Sequence, residues 1–310
     1  MSFTDFSLVA AEDKFITSSP DLSVPRPGLY PSEASVEYWL DGKRVVVGKC
    51  MRAAWYRSMN IQIPASYKPG LMMKAALGKW GEQYTIDRWK AMGIWVGNNI
   101  KFYNKDLFLS GELDAVVRNP LIEELILYEI KSYYGYLAVK EICGSKRPPV
   151  PGKPKESQFL QAVVYSWEYK DKIPETRLYY LERGDGHRVE FRVGTELQVN
   201  GSHTCYWEQL EGEYWSYYKP GKVLRPYSIE DIHARYKSLI THLKDKKLPP
   251  KDFQKVWDEE TVEWMWTHDM LGKTKYEDWQ KSPKKNLCGN WECSYCEYQS
   301  QCEQDELTNS

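Results

Sequence analysis

The sequence predicts a mixed α/β core flanked by helices. Three observations predict it. The stretch "KPGLMMKAALGKWGEQYTIDRWKAMG" opens on Pro69 and Gly70, is filled with helix formers and runs into Gly93, so a helix is expected over about 71–92. Three β-like runs follow, "IKFYN", "LFLSGELDAVVRNP" and "LIEELILYEIKSYY", with a turn at Asn119 and Pro120 between the last two. Beyond them, "ESQFLQAVVYSWEYK" carries apolar residues at helical spacing, and "TRLYYLER" and "HRVEFRV" read as strands joined at "GDG".

The flanks are read from composition. Residues 1–30 are rich in Ser, Pro and Asp and read as an irregular arm. A short helix or hairpin comes next, then a helical segment entered near Cys50. Together with the strands it makes a core over 31–225 with an N-terminal helical cap. "GSKRPPVPGKPK" (144–155) reads as a Pro/Gly/Lys loop. Residues 226–310 are expected to be mostly helical and end in a cysteine-rich stretch.

Bulk properties narrow the function. The net charge is −1, so any nucleic-acid contact must rest on local patches. No apolar run approaches the roughly 18 residues that span a bilayer, and the N-terminus lacks the pattern of a signal peptide, so no membrane association and a cytoplasmic location are expected. In a reducing compartment, clustered cysteines point to metal or redox chemistry rather than disulfides. The 13 Trp and 23 Tyr are read chiefly as packing, although such rings also stack on bases.

Three charged residues carry the central chemistry. Alternation along a strand puts Glu129 and Lys131 of "YEIK" on one face, and the turn at Asn119 and Pro120 brings Asp114 of "GELD" alongside Glu129. Two carboxylates suit Mg²⁺ or Mn²⁺, which prefer oxygen ligands. A lysine beside them orients water or offsets charge on a phosphate. On the helix that follows, Gln161 and Tyr165 of "QAVVY" share a face at i and i+4.

With "GELD", "YEIK" and "QAVVY" in this order, the chain resembles the PD-(D/E)xK nuclease superfamily in its RecB-like branch. The resemblance implies a restriction-endonuclease-like mixed sheet and metal-dependent hydrolysis of DNA. It implies a metal held by Asp114, Glu129 and the Ile130 carbonyl, Lys131 acting on the water, and Gln161 and Tyr165 supporting the site. Many members carry G-x-x-x-H on the first core helix. Here Gly78 is followed by Glu82 instead. Glu82 is taken as a third acidic ligand, as in phage-type exonucleases of the superfamily.

Four of the seven cysteines lie in "CGNWECSYCEYQSQC". Cys293, Cys296 and Cys302 have C-x2-C-x5-C spacing, and a four-thiolate site needs one more. Spacing leaves two choices: Cys288, making a local zinc knuckle, or the distant Cys50 in "GKCMRAAWYRS". The resemblance extends to the iron–sulfur members of the branch, the CRISPR-associated exonucleases and AddB-type subunits. It implies a [4Fe–4S] cluster held by Cys50, Cys293, Cys296 and Cys302, in a C-terminal region that packs back on Cys50.

Lys146, Arg147, Lys153 and Lys155 lie between the catalytic strand and the Gln161 helix and are expected to contact a phosphate backbone. The sequence thus reads as a metal-dependent DNA exonuclease acting on a single strand or a duplex end in DNA processing, repair or recombination. It has no G-x-x-x-x-G-K-[ST] motif, so a helicase or recombination partner would be a separate chain. The alternatives are a non-catalytic DNA-binding or scaffold subunit and a zinc-bearing interaction module.

Overall fold

The computed structural model describes residues 28–61, 69–146, 149–211 and 221–309, with Val9 and Lys14. Residues 1–27, read from sequence as an arm, otherwise lie outside them. The chain divides into two compact units, 1–34 with 64–234 and 35–63 with 235–310. This is not the linear division at 31, 225 and 310 that composition suggested. Residues 35–63 group with the C-terminal part of the chain and not with the core that follows them.

In the second unit, β1 (Ser35–Leu40) and β2 (Lys43–Gly48) form an antiparallel hairpin, and α1 (Met51–Ser58) follows with Cys50 at its N-cap. In the first unit, α2 (Pro69–Ala91) leads into β3 (Trp95–Asn104), β4 (Leu109–Arg118) and β5 (Leu125–Tyr133). Next come α3 (Tyr136–Ile142), the short hairpin β6 (Gly144–Lys146) and β7 (Pro149–Pro151), and α4 (Glu156–Tyr169). Four strands complete the unit: β8 (Glu175–Glu182), β9 (Arg188–Leu197), β10 (His203–Glu211) and β11 (Val223–Ser228). The segment read as a loop at 144–155 therefore contains a hairpin.

The seven-stranded sheet runs β11-β10-β9-β8-β5-β4-β3. Its one parallel pair is β5 with β8; the other neighbours are antiparallel. A parallel pair needs a long crossover, and α3, the β6–β7 hairpin and α4 supply it. Successive strand residues point to opposite faces, so β5 buries two sets of side chains. Tyr128 and Ile130 pack with Ile86 and Trp89 of α2. Leu127 packs with Tyr165 of α4 and Leu113. The molecule is thus a mixed α/β fold with a large mixed sheet flanked by helices.

α5 (Ile229–Lys244) follows β11. The second unit is completed by α6 (Glu259–Thr267), α7 (Lys273–Lys281), α8 (Trp291–Ser294) and α9 (Gln299–Asn309). Among the described residues no helix is long and apolar enough to cross a membrane.

Candidate active site and cysteine cluster

β4 and β5 pair with Ala115 opposite Tyr128, so one step back on β4 and one step on along β5 set Asp114 beside Glu129. The Ile130 N–H donates to Asp114 Oδ2 at 2.7 Å and locks that register. Lys131 Nζ pairs with Glu129 Oε1. Glu82 reaches the same spot from α2, in the electrostatic field of Asp114 and Lys131.

Burial is deepest at Glu129, and the charged residues around it are partly exposed. Glu129 is 0% exposed. Its oxygens make no hydrogen bond of ordinary geometry, although the Lys131 ammonium lies against one of them. Burial, reinforced by Asp114, pushes the Glu129 carboxyl well above the usual range. Asp114 is also raised by burial, against the pull of Lys131 and the Ile130 N–H. Burial first and Asp114 second push Glu82 up to about 7. For Lys131, burial opposes the charge, but Glu129 and Asp114 outweigh it and raise the ammonium's pKa. Low dielectric and like charge together make this a place that favours an added cation.

α4 closes the site from its own face of the sheet. Tyr165 Oη donates to the Glu112 carbonyl at 3.1 Å, and Gln161 Nε2 donates to Tyr165 Oη at 3.4 Å. Gln158, one turn earlier, instead accepts from Tyr180 Oη at 2.8 Å, so Gln161 and Tyr165 are the pair beside the carboxylates. Gly111 opens "GELD" for a steric reason. A Cβ there would lie 2.9 Å from Tyr165 Cε1 and closer still to the Phe102 ring.

The structure adds a residue that sequence reasoning missed. Glu112 raises both Glu82 and Asp114. Its signal was available, because residues two apart on a strand share a face. Of the four basic residues assigned to DNA, Lys153 is exposed and Lys155 half-buried, with the Lys155 N–H on Tyr180 Oη at 3.0 Å. Arg147 and the Lys146 side chain lie outside the described residues.

Cys50, Cys288, Cys293, Cys296 and Cys302 belong to the second unit, Cys143 and Cys205 to the first. All seven are free thiols. Cys50, Cys293, Cys296 and Cys302 line one cavity, with Arg52 and Tyr56. Arg52 Nη1 donates to Cys302 Sγ at 3.3 Å and its Nε to the Pro249 carbonyl at 3.0 Å. Burial, then the neighbouring Cys50, Cys296 and Cys302, push the Cys293 thiol up to about 11. Cys288 is elsewhere, buried among Val262, Leu271, Tyr276 and Trp279. Asp252, whose side chain is 0% exposed, accepts from the Met51 N–H at 2.7 Å, Arg44 at 2.9 Å and Arg235 at 2.6 Å. It anchors the turn that presents Cys50.

No protein-family model, curated protein or solved structure matches the chain.

Among the described residues, no three or more His, Cys, Asp or Glu side chains are drawn together tightly enough to hold a metal ion as they stand. In the first unit the Lys131 ammonium lies on Glu129 and offsets the buried charge. Even so, the donor types fit their groups. A buried carboxylate whose oxygens lack ordinary hydrogen bonds, beside two further acids, suits a hard divalent ion. Four thiols on one cavity, with a guanidinium donating to one sulfur, suit a thiolate-bound cluster.

Proposed function

We propose that the protein is a metal-dependent deoxyribonuclease, an exonuclease of the RecB-like PD-(D/E)xK type with a restriction-endonuclease-like core. The observation that carries this reading is the meeting of Asp114, Glu129 and Lys131 on neighbouring strands around a fully buried carboxylate. Asp114, Glu129 and Glu82, with the Ile130 carbonyl, would hold Mg²⁺ or Mn²⁺. When bound, the ion supplies Lewis acidity and lowers the pKa of a water. Lys131 would hold a water or a phosphate oxygen through its ammonium. Tyr165 and Gln161 keep the Glu112–Asp114 backbone in place.

The four thiols that share a cavity would bind a [4Fe–4S] cluster, with Cys50 and not Cys288 as the fourth ligand. Its role is structural, tying residues near 50 to residues 293–302. The test of the enzymatic reading is cleavage of end-labelled oligonucleotides with and without Mn²⁺. Cleavage is expected only with metal, and it is expected to disappear in Asp114→Ala, Glu129→Ala and Lys131→Ala. Metal-dependent cleavage that survives all three substitutions would remove the mechanism. A wild-type chain that binds DNA but never cuts it would favour a scaffold subunit.

A further inference from the structure

The chain just beyond Lys131 divides sharply by environment. Tyr133 is 4% exposed, and its hydroxyl meets Cys143 Sγ at 2.8 Å. Tyr134, Tyr136 and Leu137 are 70%, 78% and 79% exposed. Gly135, at φ +98°, turns the chain between the two exposed rings. Among the described residues, neither ring packs against another ring or a cation.

The support beneath these side chains is built. The Lys153 N–H donates to the Glu141 carbonyl at 3.0 Å. Gly152 packs so closely on the Ile142 carbonyl that no Cβ would fit. α3 and the β6–β7 hairpin therefore hold each other, and the Tyr133–Cys143 contact holds α3 to β5. The same insertion exposes Lys140 and Lys153. Exposed rings on a braced segment that also exposes two lysines match how proteins hold single strands, since bases stack on rings while cations follow phosphates.

We propose that Tyr134 and Tyr136, with Leu137 and Lys140, form a stacking platform for the unpaired bases of a single strand entering the Asp114–Glu129–Lys131 site. The proposal rests on the nuclease reading above. Tyr134 follows Lys131 by three residues, at most about 10 Å of extended chain, so the platform sits on the segment that leaves the Lys131 strand. Paired bases hide their faces, so the platform selects single strands over duplex ends.

The test measures binding of a fluorescein-labelled oligothymidine by anisotropy, on the full chain without divalent metal, so that nothing is cleaved. The double substitution Tyr134→Ala/Tyr136→Ala is expected to weaken binding about tenfold or more, because both stacking faces are lost. Tyr134→Phe/Tyr136→Phe keeps the ring faces and is expected to stay within about twofold of wild type. A blunt duplex is expected to bind more weakly and to be indifferent to both changes. In Mn²⁺, the alanine variant is expected to raise KM while leaving kcat near wild type. Unchanged oligothymidine binding in the alanine variant overturns the proposal, as does an equal loss in the phenylalanine variant or on duplex. Ring-dependent binding without cleavage leaves the platform standing and removes the nuclease reading. Cleavage with ring-independent binding does the reverse.

Discussion

Glu129 and Lys131 look like equal partners, yet the energetics of their loss differ. Glu129 brings a charge into a fully buried position where Asp114 and Glu82 already repel it. Glu129→Gln keeps the shape and removes that repulsion. Lys131 is the cation that offsets all of them. Removing one member of a buried pair leaves an uncompensated charge, typically about 3–5 kcal/mol. Both Glu129→Gln and Lys131→Met are therefore expected to abolish cleavage. In urea unfolding of the metal-free protein, however, Lys131→Met loses about 3 kcal/mol, whereas Glu129→Gln is neutral or stabilising. Equal losses in both would mean that the lysine does not offset the acids. The trio itself was legible in the sequence, because strand alternation and one turn suffice to align it. Glu112 was not read, although the same alternation applies to it. Only the burial around Asp114 makes its charge matter.

Among the elements, the start of α5 carries its own pH dependence. The Ser228 N–H and hydroxyl donate to Asp231 Oδ2 at 2.8 and 2.9 Å, and the Asp231 N–H donates back to Ser228 Oγ at 3.3 Å, a reciprocal cap. Beside it, Glu230 accepts from the His203 ring at 2.7 Å and from its N–H at 3.1 Å. Burial alone would raise the Glu230 carboxyl, but the bonds from His203 outweigh it and hold it at about 2. A depressed carboxyl stabilises the fold above its unfolded value and loses that contribution as pH falls towards the folded value. The stability gap between wild type and Glu230→Gln is therefore expected to be full above about pH 4.5 and to close towards pH 2. The side chain is half exposed, so screening limits the gap to about 0.5–1 kcal/mol. A gap that stays constant across that range in denaturant titrations would show that the charge is not what His203 holds.

Other elements explain where sequence reading stopped. β11 contains Pro226, which argues against a strand, and it is tolerated because β11 lies at the sheet edge and pairs only with β10. β10 hides its alternation, because its buried set includes the polar Gln209 alongside Cys205 and Trp207. The long helix before the strands and the "GDG" hairpin were readable, since periodicity and turn chemistry agree there. Gly111 tests how tightly β4 is packed. Gly111→Ala drives a methyl into Phe102 and Tyr165, so overpacking is expected to lower stability by about 1–3 kcal/mol. It should also reduce kcat more than KM, because Tyr165 holds the backbone before Asp114. A variant with wild-type stability and kcat would show that the strand yields freely.

For the molecule as a whole, the grouping of 35–63 with 235–310 was the feature least visible in the sequence. Only the resemblance hinted at it, through the pairing of Cys50 with cysteines about 240 residues later. No local pattern encodes a contact of that span. The physical consequence is large, because closing so long a loop costs the unfolded chain roughly 5 kcal/mol of entropy on a simple closure model. If the four thiols are ligated as proposed, the link would restrict the unfolded chain and move that cost out of the folding step. Cys50→Ser is therefore expected to remove absorbance near 400 nm from anaerobically purified protein and to lower stability by about 3–5 kcal/mol. Arg52→Met leaves all four thiols in place but withdraws the guanidinium from Cys302, so it is expected to keep the absorbance while making the cluster more labile to oxygen. Cys288→Ser puts a hydroxyl among Val262, Leu271 and Trp279; it is expected to cost about 1 kcal/mol and leave the absorbance untouched. If Cys288→Ser bleaches the protein and Cys50→Ser does not, the ligand set is the local one. The long-range closure then contributes nothing to stability.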